Sequence, residues 1–358
     1  MIGFAAGAWA PLVPFARQRL GLDDGGLGLV LLSMGLGSIV AMPLAGAFAA
    51  RAGCRPVLIA SAALACVVFP LLAVIDATPA FAAALFLFGA AIGSLDCVIN
   101  VQAIAVERDG GRAMMSGFHA LYSLGGFAGA GAVSALIGAH AALPAIATSI
   151  AALMAFATVG SVPGMMTRRG EDHGSMFAAP RGAVLLIGVF CFVMFLAEGS
   201  ALDWSAVFLR TVRGVAPAGA GLAYAAFAVA MTTGRLLGDR WVTWLGLRRA
   251  VIVGALIAAA GLAGATLAPG WVASVAGYAL LGAGCANVVP ALYTGIGRQC
   301  DMPESQAVTA VSVFGYAGIL TGPAGIGLVA CATSLSSALL LVAALLLLVA
   351  MTAIRLRV

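Results

Sequence analysis

Charge is what this chain has least of. Only 9% of its 358 residues are Asp, Glu, Lys or Arg, and lysine is absent altogether. Soluble domains carry roughly 25% charged residues. With 63% hydrophobic residues and a mean hydropathy of +1.12, too little polar material remains to cover a soluble body of this length. The seven cysteines are scattered, with no CxxC pair and no Cys/His cluster, so they read as small packing residues rather than a disulfide or zinc framework. No GxGxxG or GxxxxGK[ST] loop occurs, so no nucleotide drives this chain. No GxSxG elbow or metal-ligand spacing points to an enzyme, a metal or a cofactor. The net charge of +5 does not mark a nucleic-acid binder, because the arginines stand in ones, twos and threes between apolar stretches.

What is present is a succession of apolar runs. A bilayer core ~30 Å thick needs about 20 helical residues. Runs of that kind lie near 1–16, 28–50, 56–75, 79–105, 117–139, 143–166, 183–208, 217–238, 250–267, 270–297, 307–331 and 333–354. They predict an all-α membrane protein of twelve transmembrane helices in two pseudo-symmetric six-helix bundles. The N-terminal bundle is expected over 1–166, a cytoplasmic linker over 167–182 and the C-terminal bundle over 183–358. The first run is short: sixteen residues reach about 24 Å at 1.5 Å each. A locally thinned bilayer or an upstream start codon accounts for that. The run also lacks the basic start of a cleavable signal.

Arginine placement sets an orientation. With the N-terminus inside, Arg51, Arg55, Arg108, Arg112, Arg168, Arg169, Arg181, Arg235, Arg240, Arg248, Arg249, Arg298, Arg355 and Arg357 are cytoplasmic, and Arg17, Arg19, Arg210 and Arg213 lie outside. That asymmetry is the positive-inside pattern, and it predicts that both termini are cytoplasmic. The halves also echo each other. LFGAAIG in the fourth run matches LLGAGCA in the tenth, and GxxxG pairs recur at Gly125/Gly129 and Gly318/Gly322, where helices can approach closely.

Two segments carry a family resemblance: GAFAARAGCRP (Gly46–Pro56) and GRLLGDRWVTWLGLRR (Gly234–Arg249). Both resemble the G-x-x-x-D-R-x-G-R-R signature of the major facilitator superfamily, expected in the loops after the second and eighth helices. The first copy keeps Gly46, Arg51, Gly53 and Arg55 but has Ala50 at the acidic position. The second keeps Asp239 and Arg240, preceded by Arg235, and inserts residues before Gly246. The resemblance implies the major facilitator fold and a conformational latch in which the acid and arginines pair with helix ends. The segments Gly93–Glu107, Met114–Gly126 and Ala197–Leu209 resemble the branch containing fucose–proton symporters. That likeness implies a bacterial inner-membrane carrier working by alternating access, its two bundles rocking around a midplane site. The likeness does not carry a substrate over; the leading reading is uptake of a small polar solute, such as a sugar, with protons by a monomer embedded in lipid. Efflux by proton exchange is the competing reading, and a transport-inactive sensor a third. The fifth run has glycines without the Gly-Pro of many antiporters, which favours symport.

Polar side chains inside the runs are the candidate site, because each is costly in lipid and should face the bundle interior. Asp96, Asn100 and Glu107 share one face of the fourth helix. His119, Tyr122 and Ser123 share a face of the fifth. Glu198 falls near mid-membrane in the seventh, with Asp203 and Trp204 one turn further out. Asp96, Glu198 and Asp203 are candidate proton carriers, or else neutral acids hydrogen-bonded to a neighbouring helix. His119 suits a proton relay or a gate hydrogen bond. Trp204, Trp9, Tyr122 and Tyr293 are candidate ring-stacking groups or interfacial anchors. Arg235 and Asp239, one turn apart, are expected to form a structural ion pair.

Overall fold

A computed structural model describes residues 1–167, 179–216, 219–299 and 301–356, and the described residues contain twelve helical segments and no strand. Arg168, Arg169, Cys300 and Arg357, together with positions 168–178 of the expected linker, lie outside the described residues. The first helix, α1, joins Ile2–Trp9 to Val13–Leu20 through a single 3-10 turn at Ala10–Leu12, where Pro11 removes a donor. Then follow α2 (Asp24–Ala52), α3 (Cys54–Leu71), α4 (Thr78–Gly110), α5 (Met115–Gly138) and α6 (Leu143–Ser161). Beyond the linker come α7 (Gly182–Thr211), α8 (Leu222–Leu245), α9 (Leu247–Leu267), α10, α11 (Glu304–Ala332) and α12 (Leu335–Thr352). Helix α10 is split into Trp271–Cys285 and Val288–Ile296.

Among the described residues, ten segments are long and apolar enough to cross a membrane by themselves. The other two are α1, which is interrupted, and α8, whose apolar character is diluted by Arg235, Asp239 and Arg240. Helix α1 remains short, although it runs to Leu20 and takes in Arg17 and Arg19, which were expected just beyond its end.

The two signature segments are not loops. Helix α2 continues to Ala52 and α8 to Leu245, seven residues past the expected 238, because nothing in GDRWVTWL breaks a helix. The polar residues end the apolar pattern without ending the helix. The chain reverses at one residue in each case, Gly53 (φ 89, ψ 164) and Gly246 (φ 75, ψ 154). Positive φ at both turns suits glycine and strains any side chain.

Matching turns are one sign of the internal repeat, and arginine supplies a stronger one. Arg19, at the end of α1, donates to the carbonyls of Leu72 (2.7 Å), Ala73 (2.6 Å) and Ile75 (3.0 Å) at the end of α3. Arg213, just past α7, donates to Thr266 (2.8 Å), Ala265 (3.1 Å) and Ala268 (2.8 Å) at the end of α9, and to Ser274 Oγ (2.8 Å). One guanidinium fork thus satisfies the orphan carbonyls of the same helix in each half. Glycine contacts repeat likewise. A Cβ on Gly129 would strike the Phe4 carbonyl on α1, and one on Gly318 the Phe192 carbonyl on α7. The GxxxG faces of α5 and α11 therefore bring them against the first helix of their own half.

Two compact units follow from the packing. One comprises Met1–Ala103, Leu121–Ala178 and Pro303–Thr309; the other comprises Ile104–Ala120, Ala179–Met302 and Ala310–Val358. The α4–α5 corner thus belongs to the second unit and the start of α11 to the first.

Candidate functional site

In the second unit, three features near the midpoints of their helices come together. Glu198 on α7 lies with its Oε1 3.6 Å from Arg235 Nη2 on α8, the two side chains 15% and 6% exposed. Glu198 Oε1 accepts no hydrogen bond among the described residues, so its contact with Nη2 is one of charge. Arg235 Nε donates to the Ala286 carbonyl (3.4 Å), at the break in α10. The next residue, Asn287, donates its Nδ2 to the Gly234 carbonyl (3.0 Å). Adjacent residues of α8 therefore grip both sides of the α10 break. The interruption frees backbone groups that a continuous helix would satisfy itself, and Arg235 of α8 supplies a donor for one of them, the Ala286 carbonyl. Asn287 Oδ1 is buried and accepts no hydrogen bond among the described residues.

Below the break, Tyr293 is 2% exposed and shares a hydrogen bond with Ser312 Oγ on α11 (2.8 Å). The His119 ring lies 6.0 Å from that of Tyr293, and His119 is within electrostatic reach of Arg235. Trp204 leans on Gly327 of α11, and its indole N–H is buried without an acceptor among the described residues. Asp203 is an exposed residue of α7.

Arg235 and Asp239 part company. While Arg235 reaches Glu198, Asp239 accepts backbone N–H bonds from Ser116 (Oδ1, 2.9 Å) and Gly117 (Oδ2, 3.0 Å) in the first turn of α5. Glu107, at the end of α4, accepts from the N–H groups of Met114 (2.7 Å) and Met115 (2.9 Å). Two carboxylates from different helices thereby satisfy four consecutive donors at one helix N-terminus, where negative charge is favoured. Arg240 points away, exposed.

In the first unit, Asp96 is half-buried near the middle of α4. Asn100, 6% exposed, turns its Nδ2 back to the Asp96 carbonyl (2.8 Å). Trp9 is buried against Phe81, with ring centroids 6.0 Å apart, as a packing residue of the core. Tyr122 is 40% exposed on α5, and its backbone lies against Gly3 of α1. Gly46 abuts Thr309 at the start of α11, a contact that any side chain would close off. Arg51 is exposed and Arg55 half-buried beside the Gly53 turn.

Sequence reasoning did not find the Glu198–Arg235 pair, the break in α10 or the second carboxylate on α5. Glu198 and Arg235 stand 37 positions apart in sequence with no shared spacing, while the break had one local signal, Pro290, whose missing N–H leaves the Ala286 carbonyl without its helical donor.

No protein-family model matches the chain. An uncharacterized MFS-type transporter of Yersinia pestis is 49% identical over 354 residues, covering 98% of this chain and 92% of the relative. Membrane protein MosC of Rhizobium meliloti is 33% identical over 350 residues, covering 96% of this chain and 84% of MosC. Among solved structures, FucP, the E. coli fucose:proton symporter, superposes in its outward conformation with a TM-score of 0.79 at 16% identity, covering 100% of this chain and 96% of FucP.

Proposed function

The chain belongs to the major facilitator superfamily of multi-pass membrane transporters, and we propose that it carries a small polar solute, such as a sugar, together with protons by alternating access. It is a transporter and not an enzyme. The buried Glu198–Arg235 pair carries the coupling reading. Ionised side chains at mid-helix are costly in a membrane and persist where they serve transport. A carboxylate 3.6 Å from a guanidinium, with no hydrogen bond fixing that oxygen, can accept a proton while Arg235 keeps the Ala286 carbonyl. Asp96, with Asn100 beside it, is the second proton-carrying candidate. His119, Tyr122, Trp204 and Asp203 complete the set of polar and ring-bearing groups available to a solute. The likeness to FucP, itself a fucose:proton symporter, supports the symport direction.

Asp239 on the α5 N-terminus supports a latch that holds one transport state, with Gly46, Arg51, Gly53, Arg55, Arg235 and Arg240 as the remaining elements. In this reading the chain is a monomer in a bacterial inner membrane, with both termini cytoplasmic and the segments 1–166 and 183–358 as its two bundles around a linker at 167–182.

The test is transport in proteoliposomes. Glu198→Gln keeps the shape and most of the hydrogen-bonding capacity of a protonated glutamate. It should abolish accumulation of solute against a gradient while leaving equilibrium exchange intact. Unchanged pH-driven accumulation removes Glu198 from the mechanism. Accumulation driven by an outward rather than an inward proton gradient replaces symport by exchange.

A further inference from the structure

The α8–α9 turn carries an exposed cluster of arginine and tryptophan side chains. Arg240, Trp241, Trp244, Arg248 and Arg249 are all exposed around Gly246, with Trp241 51% and Trp244 76% exposed. The two indoles meet edge to face, with centroids 5.7 Å apart at 77°. None of the three arginines enters a hydrogen bond or ion pair among the described residues. The acid in this stretch, Asp239, has both oxygens turned to the Ser116 and Gly117 amides. The turn therefore shows three uncompensated guanidinium groups beside two tryptophans.

Its place on the helix says what it faces. The exposed stripe of α8 runs through Val229 (61%), Leu236 (57%) and Leu237 (47%) before reaching Trp241 and Trp244. On a membrane-spanning helix, such a stripe contacts acyl chains, and the point where it changes to Trp and Arg is the edge of the hydrocarbon. Indoles settle at the headgroup level, and guanidinium forks match phosphate oxygens. The matching turn of the first half, at Gly53, has Arg51 and Arg55 but no tryptophan near it in sequence.

We propose that the α8–α9 turn is a docking site for an anionic phospholipid. Arg240, Arg248 and Arg249 take the headgroup phosphate, and Trp241 and Trp244 pack against the glycerol and upper acyl region. Because the patch is confined to one half, bound lipid would bear on α8, the helix that holds Arg235 and Asp239.

The full chain in nanodiscs tests this by tryptophan quenching. Phosphatidylcholine discs are doped at equal mole fraction with acyl-brominated phosphatidylglycerol or acyl-brominated phosphatidylcholine. Trp241→Phe/Trp244→Phe supplies the background from the other tryptophans. The expected result is stronger quenching of the hairpin pair by the glycerol lipid than by the choline lipid. At roughly fivefold per arginine, Arg240→Gln/Arg248→Gln/Arg249→Gln should weaken the preference by about a hundredfold, while quenching by brominated phosphatidylcholine stays unchanged, which shows an intact fold. Should that variant fail to fold, Arg248→Gln alone should give about a fivefold loss. Equal quenching by the two lipids overturns the proposal. So does loss of the preference on adding millimolar inorganic phosphate, which would mark a site for soluble anions.

Discussion

Replacing Arg235 by glutamine removes the cation that sits against Glu198, and the geometry fixes how much should be lost. At an effective dielectric of about 20, unit charges separated by 3.6 Å attract by about 4–5 kcal/mol. The long bond from Nε to the Ala286 carbonyl adds less than about 1 kcal/mol. Opposing these is the desolvation of each ion, so the pair as a whole contributes little, yet removing one partner costs about 3–5 kcal/mol because the other stays buried and unpaired. Arg235→Gln and Glu198→Gln should each destabilise by that amount. The double variant should lose less than the sum, with a coupling of about 1–3 kcal/mol. Chemical unfolding of the four proteins in one detergent, followed by circular dichroism, measures the cycle. Single effects that add to within about 0.5 kcal/mol would show that the two side chains do not sense each other, and the coupling reading would fall with them.

Other expectations rest on separate features. Arg19→Ala and Arg213→Ala should destabilise to similar extents, about 2–4 kcal/mol each, with lysine restoring only part because it lacks the planar fork; markedly unequal losses in thermal unfolding would argue against equivalent roles. Asp239→Asn should weaken the hold on α5 by about 1–2 kcal/mol, and adding Glu107→Gln should deepen the loss. If that contact is a latch, hydrogen exchange at Ser116 and Gly117 will accelerate in Asp239→Asn before any other segment responds; unchanged exchange would reduce Asp239 to a surface acid. Asp96→Asn is the companion to Glu198→Gln in the transport assay, and normal accumulation in this variant would remove Asp96 from the proton candidates. Cysteines introduced at Arg355 and Asp76 in a cysteine-free background should label from the inside and outside respectively, and the reverse pattern would invert the topology.

Hydropathy by itself determined that this chain is helical and membrane-embedded, and how many helices it has, because in lipid a backbone must satisfy its own hydrogen bonds within each segment. The placing of Asp96 and Glu198 inside their helices was equally legible, since a helix advances a fixed 1.5 Å per residue, whereas Arg235, expected in a cytoplasmic segment, lies buried near the middle of α8. Helix ends were less so. The polar run after Gly234 reads as a loop, yet it stays helical to Leu245, because hydropathy marks where lipid ends and only backbone geometry marks where a helix does. Partner choice was not legible at all. Spacing on one helix favoured Arg235 with Asp239, whereas packing gave Arg235 to Glu198 and sent Asp239 to the α5 amides. Side chains pair across helices according to which faces meet and at what depth, and those are properties of the assembled bundle that no local pattern encodes. The break at Asn287 is partly local, since Pro290 has no N–H to offer the Ala286 carbonyl, and partly tertiary, since Arg235 on another helix donates to that carbonyl while the Asn287 side chain donates to Gly234.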